Sequence, residues 1–245
     1  MRGISDTVKH LLIINGLFFF AGSLFGQAFF DLMALHFYYS PKFQLWQPIT
    51  HMFMHGSVPH LFFNMFGLWM FGSPLEQMWG RQKFLFYYFS AGIGAALIQL
   101  GAYSIQFSSV TDAIQTLGYT TQDVLDLIAV GDYEREWLTV TTQEKLLEIY
   151  QTFNVTMVGA SGALYGVLVA FAYLFPNTPL MLFLIPIAIK AKYFVPGLIL
   201  VDLFFGFSSY SLGPIAHFAH VGGAITGFLM MYYWKKNQFN QNRWD

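Results

Sequence analysis

The sequence predicts an all-α, polytopic membrane protein with six transmembrane helices. Of its 245 residues, 56% are apolar, 20% are aromatic and only 10% are charged, proportions far from those of a soluble domain. A helix that spans a bilayer needs about 20 mainly apolar residues, and six stretches of the chain approach that length. The spans are expected near residues 11–30, 58–79, 84–103, 160–176, 193–209 and 215–234.

The first of these stretches is interpreted as a retained span rather than a signal peptide, because no clear small-residue cleavage site follows it. Six spans place both termini on one side of the membrane. Nine of the twelve Lys and Arg residues fall at the termini or in the even-numbered turns, so the positive-inside rule predicts cytoplasmic N and C termini. The whole chain, residues 1–245, is expected to form a single membrane domain.

The segment of about 104–156, between spans three and four, is predicted to be a polar extracytoplasmic insertion. Eight of the thirteen acidic residues lie in it, between Asp112 and Glu148. Residues 142–151 predict a short helix with Glu144 and Glu148 on one face, a pattern typical of a solvated surface. The chain has no cysteine, which excludes disulfides and thiol catalysis, and its near-neutral charge gives no indication of a nucleic-acid partner.

Span four begins with the string Gly159-Ala160-Ser161-Gly162 and is unusually short. As a helix, Ser161 to Phe175 covers about 22 Å, less than the hydrocarbon thickness of roughly 30 Å. Its serine end is therefore expected to lie below the outer surface, reached through non-helical backbone that lines a water-filled cavity. A serine among small residues suits a nucleophile, although such a string in isolation is more typical of helix packing.

Histidines concentrate where the outer membrane face is predicted. In span two, Pro59 suits a first helical turn, and His60 and Asn64 are then i and i+4 on one helix face. In span six, Gly213-Pro214 marks a turn, and His220 lies early in the helix that follows. Ionisable residues inside a membrane are costly and indicate function by default.

Span six also has glycines at a spacing that allows close helix approach. Gly223 and Gly227 form a GxxxG pattern, which we assign to packing of span six on span four. That packing would bring His220 to Ser161. Topology thus predicts that Ser161 and His220 lie at similar depth, together with His60 and Asn64.

These residue types suit acyl transfer. A serine hydroxyl is a weak nucleophile until a base removes its proton, and a neutral imidazole can do so near pH 7. His220 is the candidate base for Ser161. Donors to the oxyanion could come from His60, Asn64 and the backbone N–H of Ser161.

From Trp46 to the end of span six, the chain resembles the rhomboid family of intramembrane serine proteases. The series His51-x3-His55-x4-His60-x3-Asn64 is similar to the family's second-helix signature, Gly159-Ala160-Ser161-Gly162 to its nucleophile motif, and Ala219-His220-x2-Gly223 to its base motif. Glu76, with Gly80 and Arg81, resembles the turn after span two. Gln47 departs from the family's best-known bacterial members, which have arginine there.

The resemblance implies a six-helix bundle and a Ser161–His220 dyad with no acidic third member. It also implies that His60, Asn64 and Gly162 assist the oxyanion and that Tyr165 packs on the base histidine. The implied activity is that of an intramembrane serine endopeptidase, which cleaves single-span membrane proteins within or beside their transmembrane segment. Substrates and membrane lipids are the implied partners, with no metal or other cofactor, and the expected location is a bacterial cytoplasmic membrane.

Two other classes of function remain open. One is a rhomboid-like pseudoprotease that binds transmembrane helices without cutting them. The other is a histidine-dependent metal or proton transporter, in which Asp202 of span five would take part; otherwise Asp202 is a buried structural acid or a protonated one. His51 and His55 are expected to bond loop backbone, and His217 is either a polar residue at the helix entry or a substitute base.

Overall fold

The computed structural model describes residues 3–182, 185–208 and 216–237, and α-helices account for most of them. Two short antiparallel pairs of β-strands lie between the helices. The all-α prediction therefore holds for the helical bundle, but not for the segments that form these strands. The predicted turn at Gly213-Pro214 lies outside the described residues. The first elements are α1 (Asp6–Phe25), α2 (Gln27–Met33), β1 (Leu35–His36), α3 (Gln47–Thr50), a 3-10 turn (His51–Phe53) and α4 (Val58–Gly67).

The predicted first span is divided between α1 and α2. Gly26 separates the two helices with a φ of +61°, a left-handed conformation that glycine adopts without a steric penalty. The prediction of one helix over 11–30 was therefore wrong at its C-terminal end. The physical reason is this single glycine, whose backbone turns the chain before Gln27.

The second predicted span is one helical path with a wider turn in its middle. After α4, a π-helical turn (Leu68–Gly72) leads directly into α5 (Ser73–Trp79). Pro74 lies in the first turn of α5 and has no N–H, and in a regular helix its ring would clash with the carbonyl four residues earlier. The wider turn lies immediately before this proline, which is the arrangement expected where a helix has to absorb such a ring.

The third span is much longer than predicted. Helix α6 (Arg81–Gln115) has 35 residues, so its last three turns lie in the segment that was expected to be a separate polar insertion. Phe107, Val110 and Ile114 of these turns recur at helical spacing and are almost completely buried. The charge of the segment concealed this apolar stripe.

The insertion has its own hydrophobic core rather than being a solvated loop. It contains α7 (Thr121–Val130), a 3-10 turn (Arg135–Thr139) and α8 (Gln143–Phe153). Trp137 and Ile149 are fully buried in this core with Phe37 of the first loop, whose ring lies 5.4 Å from that of Phe107. The predicted helix at 142–151 is confirmed as α8, and Glu144 is exposed as expected.

A reciprocal cap begins α7. The Thr120 hydroxyl accepts a hydrogen bond from the Asp123 N–H at 3.2 Å, and the Asp123 carboxylate accepts one from the Thr120 N–H at 2.7 Å. Hydrogen bonds from the hydroxyl and N–H of Thr120 lower the pKa of Asp123, because they favour the charged carboxylate. The helix start is thus specified locally by the sequence.

The remaining elements complete the bundle around α9. After the insertion, β2 (Thr156–Met157) pairs with β1, and α9 begins directly at Ser161. A β hairpin then connects α9 to the next helix, and the sequence analysis made no prediction for this connection. These elements are α9 (Ser161–Leu174), β3 (Pro179–Leu182), β4 (Ile185–Lys190), α10 (Ala191–Phe207) and α11 (His217–Asn237).

Helices α6, α9 and α11 pack closely because small residues face each other. A Cβ added at Gly223 would lie 1.8 Å from the carbonyl oxygen of Gly162, and one added at Gly227 would lie 2.8 Å from the Cα of Gly166. The Tyr87 hydroxyl donates a 2.8 Å hydrogen bond to the Gly166 carbonyl. Glycines thus allow α9 and α11 to come into backbone contact.

The outward faces of several helices are apolar. Phe20 of α1 is 66% exposed, Ile105 of α6 75% and Phe204 of α10 65%, values typical of a surface that contacts lipid rather than water. Within the described residues, α1 and α6 are the two helices long and apolar enough to cross a membrane unaided, while α9 is shorter. The count of six spans and the orientation of the termini remain predictions.

Gly223→Ala is expected to destabilise the protein, because the added methyl group would collide with the Gly162 carbonyl oxygen. Overpacking of this kind typically costs about 1–3 kcal/mol. Thermal unfolding of the detergent-solubilised protein measures the effect as a lower Tm. Gly101→Ala in α6 is the matched control, since nothing lies within 4 Å of the added Cβ, and it should leave the Tm unchanged or raise it. Equal Tm values for both variants would contradict the close contact.

Candidate active site

Ser161 is presented by a sharp change from extended chain to helix. Gly159 has a φ of +124°, and its N–H donates a 3.0 Å hydrogen bond to the carbonyl of His51. A Cβ at Gly159 would be strained by this φ and would lie 2.8 Å from Nε2 of His60. Glycine is therefore required there, and Ser161 follows two residues later as the first residue of α9.

The serine and the predicted base are in hydrogen-bonding contact. His220 Nε2 lies 2.8 Å from Ser161 Oγ, although 59 residues separate them in the chain. The ring of Tyr165 stacks on the His220 imidazole with centroids 4.3 Å apart and an interplanar angle of 10°. The stacked ring and the serine contact together restrict how the imidazole can rotate.

Gly162 and Gly223 make this contact possible. Gly162 follows the serine on α9, and Gly223 lies one turn after His220 on α11. Their backbones meet directly, as described above, which brings the two helix starts together. Bulkier residues at either position would separate Ser161 from His220.

His60 and Asn64 lie on α4, and His60 comes close to the chain just before Ser161. The space beside Gly159 is bordered by both His60 Nε2 and Ser161 Oγ, since a Cβ there would lie 2.8 Å and 3.6 Å from them. Asn64 is buried, and its side-chain amide donates a 3.0 Å hydrogen bond to the His60 carbonyl. A primary amide carries two N–H bonds, so one remains for another acceptor.

His51 and His55 hold structure around the site rather than contacting the serine. His51 Nδ1 lies 2.9 Å from the Gln47 carbonyl, and the His51 carbonyl anchors Gly159. The ring of His55 packs edge-on against that of His60, with centroids 5.0 Å apart. Both ring nitrogens of His55 are buried and have no hydrogen-bond partner among the described residues.

Gln47 stands where the resemblance led us to expect arginine. Its side chain holds together backbone groups of the first loop. Its side chain is fully buried, and its amide donates to the carbonyls of Asp31 and Lys42 at 3.1 and 2.9 Å. Its oxygen accepts from the His36 N–H at 3.3 Å. The uncharged amide thus satisfies loop backbone groups from three positions, a task that needs both a donor and an acceptor.

Glu76 ties α5 to the start of α1. Its carboxylate accepts hydrogen bonds from the backbone N–H groups of Thr7 and Val8, both at 2.9 Å, and from the Ser5 hydroxyl. These are the unpaired donors of a helix N-terminus, where a negative charge is also stabilised by the helix dipole. The residue is structural and distant in the chain from the serine motif.

Asp202 is the residue at the site whose role the sequence analysis did not assign. It projects from α10, is buried, and places Oδ1 3.1 Å from Nδ1 of His220 and 2.6 Å from Nδ1 of His217. Its other oxygen accepts a hydrogen bond from the Tyr165 hydroxyl. The resemblance implied a dyad without an acid, but a carboxylate lies against His220, the predicted base. The available signal was a lone acid in an apolar span, 18 residues before His220.

His217 faces this carboxylate, and its ring lies near that of Phe205, with centroids 5.8 Å apart. Among residues 3–182, 185–208 and 216–237, no three His, Cys, Asp or Glu side chains are grouped so that they could hold a metal ion.

The family model and the relatives that match this chain all carry the name rhomboid. The family model described as "Rhomboid domain" matches residues 42–119 and 137–237. "Rhomboid protein 1, mitochondrial" of Saccharomyces cerevisiae is 28% identical over 190 residues, which cover 75% of this chain and 40% of that protein. "Rhomboid protease GluP" of Bacillus subtilis is 26% identical over 183 residues, covering 75% of this chain and 25% of that protein.

A shorter match is found with "Rhomboid protease GlpG" of a Salmonella newport strain, 39% identical over 44 residues, 18% of this chain and 16% of that protein. The chain thus spans less than half the length of the yeast and Bacillus relatives.

Glu76→Gln is expected to destabilise the junction of α1 and α5. The neutral amide keeps one acceptor oxygen, but its NH2 group faces backbone donors, and hydrogen bonds to charged groups contribute about 1.5–3 kcal/mol. The expected result is a lower Tm in detergent. Glu144→Gln, at an exposed position of α8, is the matched control and should leave the Tm within error. An unchanged Tm for Glu76→Gln would show that these bonds contribute nothing net.

Proposed function

The chain belongs to the rhomboid family of integral membrane proteins, and from that premise we propose that it is an intramembrane serine endopeptidase. The observation that supports this most directly is the 2.8 Å separation of His220 Nε2 and Ser161 Oγ. We infer that Ser161 is the nucleophile and His220 the general base. Relatives named as rhomboid proteases in bacteria are in line with this reading.

The proposed reaction begins when Ser161 Oγ attacks the scissile carbonyl carbon. The hydroxyl proton moves to His220 Nε2 as the Oγ–C bond forms, and the carbonyl electrons pass to its oxygen. Collapse of this intermediate breaks the C–N bond, and the imidazolium returns the proton to the leaving amine. A water molecule, deprotonated by the same imidazole, then hydrolyses the acyl-enzyme and regenerates Ser161.

The developing oxyanion needs fixed donors. The N–H groups at the start of α9 have no partner inside the helix, and that of Ser161 is one of them. His60 Nε2 and Ser161 Oγ border the same space beside Gly159, and Asn64 lies one turn after His60 on α4, so we propose these two side chains as further donors. Donors preorganised in this way stabilise the transition state more than the substrate.

The substrate class follows from the position of the serine. Helix α9 has 14 residues, about 21 Å, so a bilayer of roughly 30 Å leaves Ser161 below one surface. A peptide bond inside a regular helix cannot reach the serine, so the substrate's transmembrane segment must unwind locally. Small or helix-breaking residues at the cleavage point favour this unwinding.

The first loop offers an interfacial surface beside the site. Tyr38, Tyr39 and Trp46 are each more than 40% exposed, and aromatic side chains with a polar group prefer the membrane interface. We propose that this surface, with the surrounding lipid, guides single-span substrates. One relative is a bacterial protein and another is a yeast protein named as mitochondrial. Location in a bacterial cytoplasmic membrane therefore remains a prediction.

Cleavage of a model single-span substrate by the purified protein in liposomes tests the proposal. Wild type should release two fragments that mass spectrometry assigns to one peptide bond, whereas Ser161→Ala and His220→Ala should release none. Ser109→Ala and His10→Ala, both at exposed helix positions, are the matched controls and should cleave normally. Cleavage by Ser161→Ala would refute the nucleophile. Binding without cleavage by wild type, over a panel of substrates, would favour the pseudoprotease.

Asn64→Ala is expected to lower kcat by about 10²- to 10³-fold with little change in KM, as typically follows the loss of one oxyanion donor. Asn15→Ala provides a close control. Asn15 is also buried, and its amide makes the same kind of bond to the carbonyl four residues earlier, but in α1. If both variants lose activity equally, the Asn64 effect is one of folding and not of transition-state binding.

A further inference from the structure

Asp202 is a buried acid on α10 that contacts the proposed base. We propose that Asp202 is a positioning residue which fixes the tautomer and orientation of His220 and stabilises its imidazolium, so that the site works as a triad. This inference rests on the proposed function. It departs from the acid-free dyad that the resemblance implied, and the contacts of the carboxylate are its basis.

The first argument is the placement of the two ring nitrogens of His220. Nε2 lies 2.8 Å from Ser161 Oγ and Nδ1 lies 3.1 Å from Asp202 Oδ1, so the ring bridges a hydroxyl and a carboxylate. A carboxylate only accepts, which requires the neutral ring to carry its proton on Nδ1. Nε2 is then free to take the serine proton. The opposite tautomer, with its proton on Nε2, could not act as the base.

The second argument is that the carboxylate is itself held in place. The Tyr165 hydroxyl donates to one oxygen and His217 Nδ1 lies 2.6 Å from the other, while the Asp202 side chain is only 7% exposed. These donors come from α9 and α11, so three helices meet at one carboxylate. A group fixed from two sides can orient the imidazole without reorganising during the reaction.

The third argument is electrostatic. During acyl transfer His220 acquires a positive charge on a side chain that is only 14% exposed, where an opposite charge about 3 Å away is felt more strongly than in bulk water. The titratable groups that contact Asp202 within the described residues are Tyr165, His217 and His220. Asp202 is the one acid in this group. It is therefore the group able to balance the imidazolium.

His217 has a defined part in this arrangement. Its Nδ1 donates to the same oxygen that faces His220, and it lies three residues earlier on the same face of α11. Its ring therefore holds the carboxylate and does not replace His220 as the base. Tyr165 has two contacts with the pair, since its ring stacks on His220 while its hydroxyl bonds Asp202.

The alternative is that Asp202 serves only to join α9, α10 and α11. A joint of that kind would affect the Tm and substrate binding but would not act selectively on turnover. An isosteric change that removes the charge and keeps the shape separates the two roles. Asp202→Asn is that change, and Asp126→Asn, at an exposed position of α7, is its matched control.

The experiment measures kcat and KM for the model substrate in liposomes, and the Tm of each variant. Asp202→Asn is expected to lower kcat by about 10²- to 10⁴-fold, with KM and Tm nearly unchanged, since the same change in a Ser-His-Asp triad lowers turnover about 10⁴-fold. Asp126→Asn should match wild type. A kcat for Asp202→Asn within about threefold of wild type would overturn the proposal, as would a loss of activity that follows the Tm alone.

Two further measurements keep the test decisive. If Asp202→Asn does not fold, Tyr165→Phe replaces it, because this variant removes one donor to the carboxylate and keeps the ring on His220. Its kcat should fall about tenfold, because the hydrogen bond from Tyr165 that orients the Asp202 carboxylate is lost. An unchanged kcat would overturn the proposal.

If wild type cleaves nothing, the proposed function fails, and nitrogen-15 NMR of the histidines then decides the orientation of His220 independently. A proton on Nδ1 of His220 supports the contact with Asp202, and a proton on Nε2 refutes it.

Discussion

The contact between Gly162 on α9 and Gly223 on α11 is the constraint on which the rest of the site depends. Because neither residue has a side chain, the two helices meet at their backbones. That distance sets how far Ser161 is from His220, since each lies within a turn of the contact. The stacking of Tyr165 on His220 follows from the same helix spacing, and α10 then adds Asp202 to the pair.

The serine also depends on a second set of contacts outside the helix pair. The chain before Ser161 is extended, pairs with Leu35–His36 and is fixed by the His51 carbonyl. Gln47 in turn satisfies the backbone of the first loop. The loop, the 3-10 turn and Ser161 therefore form one connected unit, in which buried backbone groups find partners at each step.

The sequence predicted most of the bundle because hydrophobic length and small-residue spacing are local signals. The start of α9 at Ser161 and the glycine pattern in α11 could be read directly, as could the i, i+4 placement of His60 and Asn64. The extent of α6 could not, since its last turns are buried by Phe37, which is distant in sequence. The role of Asp202 was left open for the same reason: only the packing of three helices shows that its carboxylate faces an imidazole. The β3–β4 hairpin was not predicted, because a short apolar run between two helices does not by itself distinguish strand from helix.

Helix α10 has one face in the protein interior and one apolar face on the outer surface. One of its faces supplies Asp202 to the interior, and its outer side exposes Leu200, Phe204 and Phe207. A helix with one buried face and one apolar outer face is expected to tilt when the bilayer thickness changes, because tilting relieves hydrophobic mismatch. A tilt of α10 would change the distance between the Asp202 carboxylate and the His220 imidazole, which lie 3.1 Å apart. If the proposed acyl transfer takes place here, the thickness of the surrounding bilayer would bear on it through the distance between Asp202 and His220.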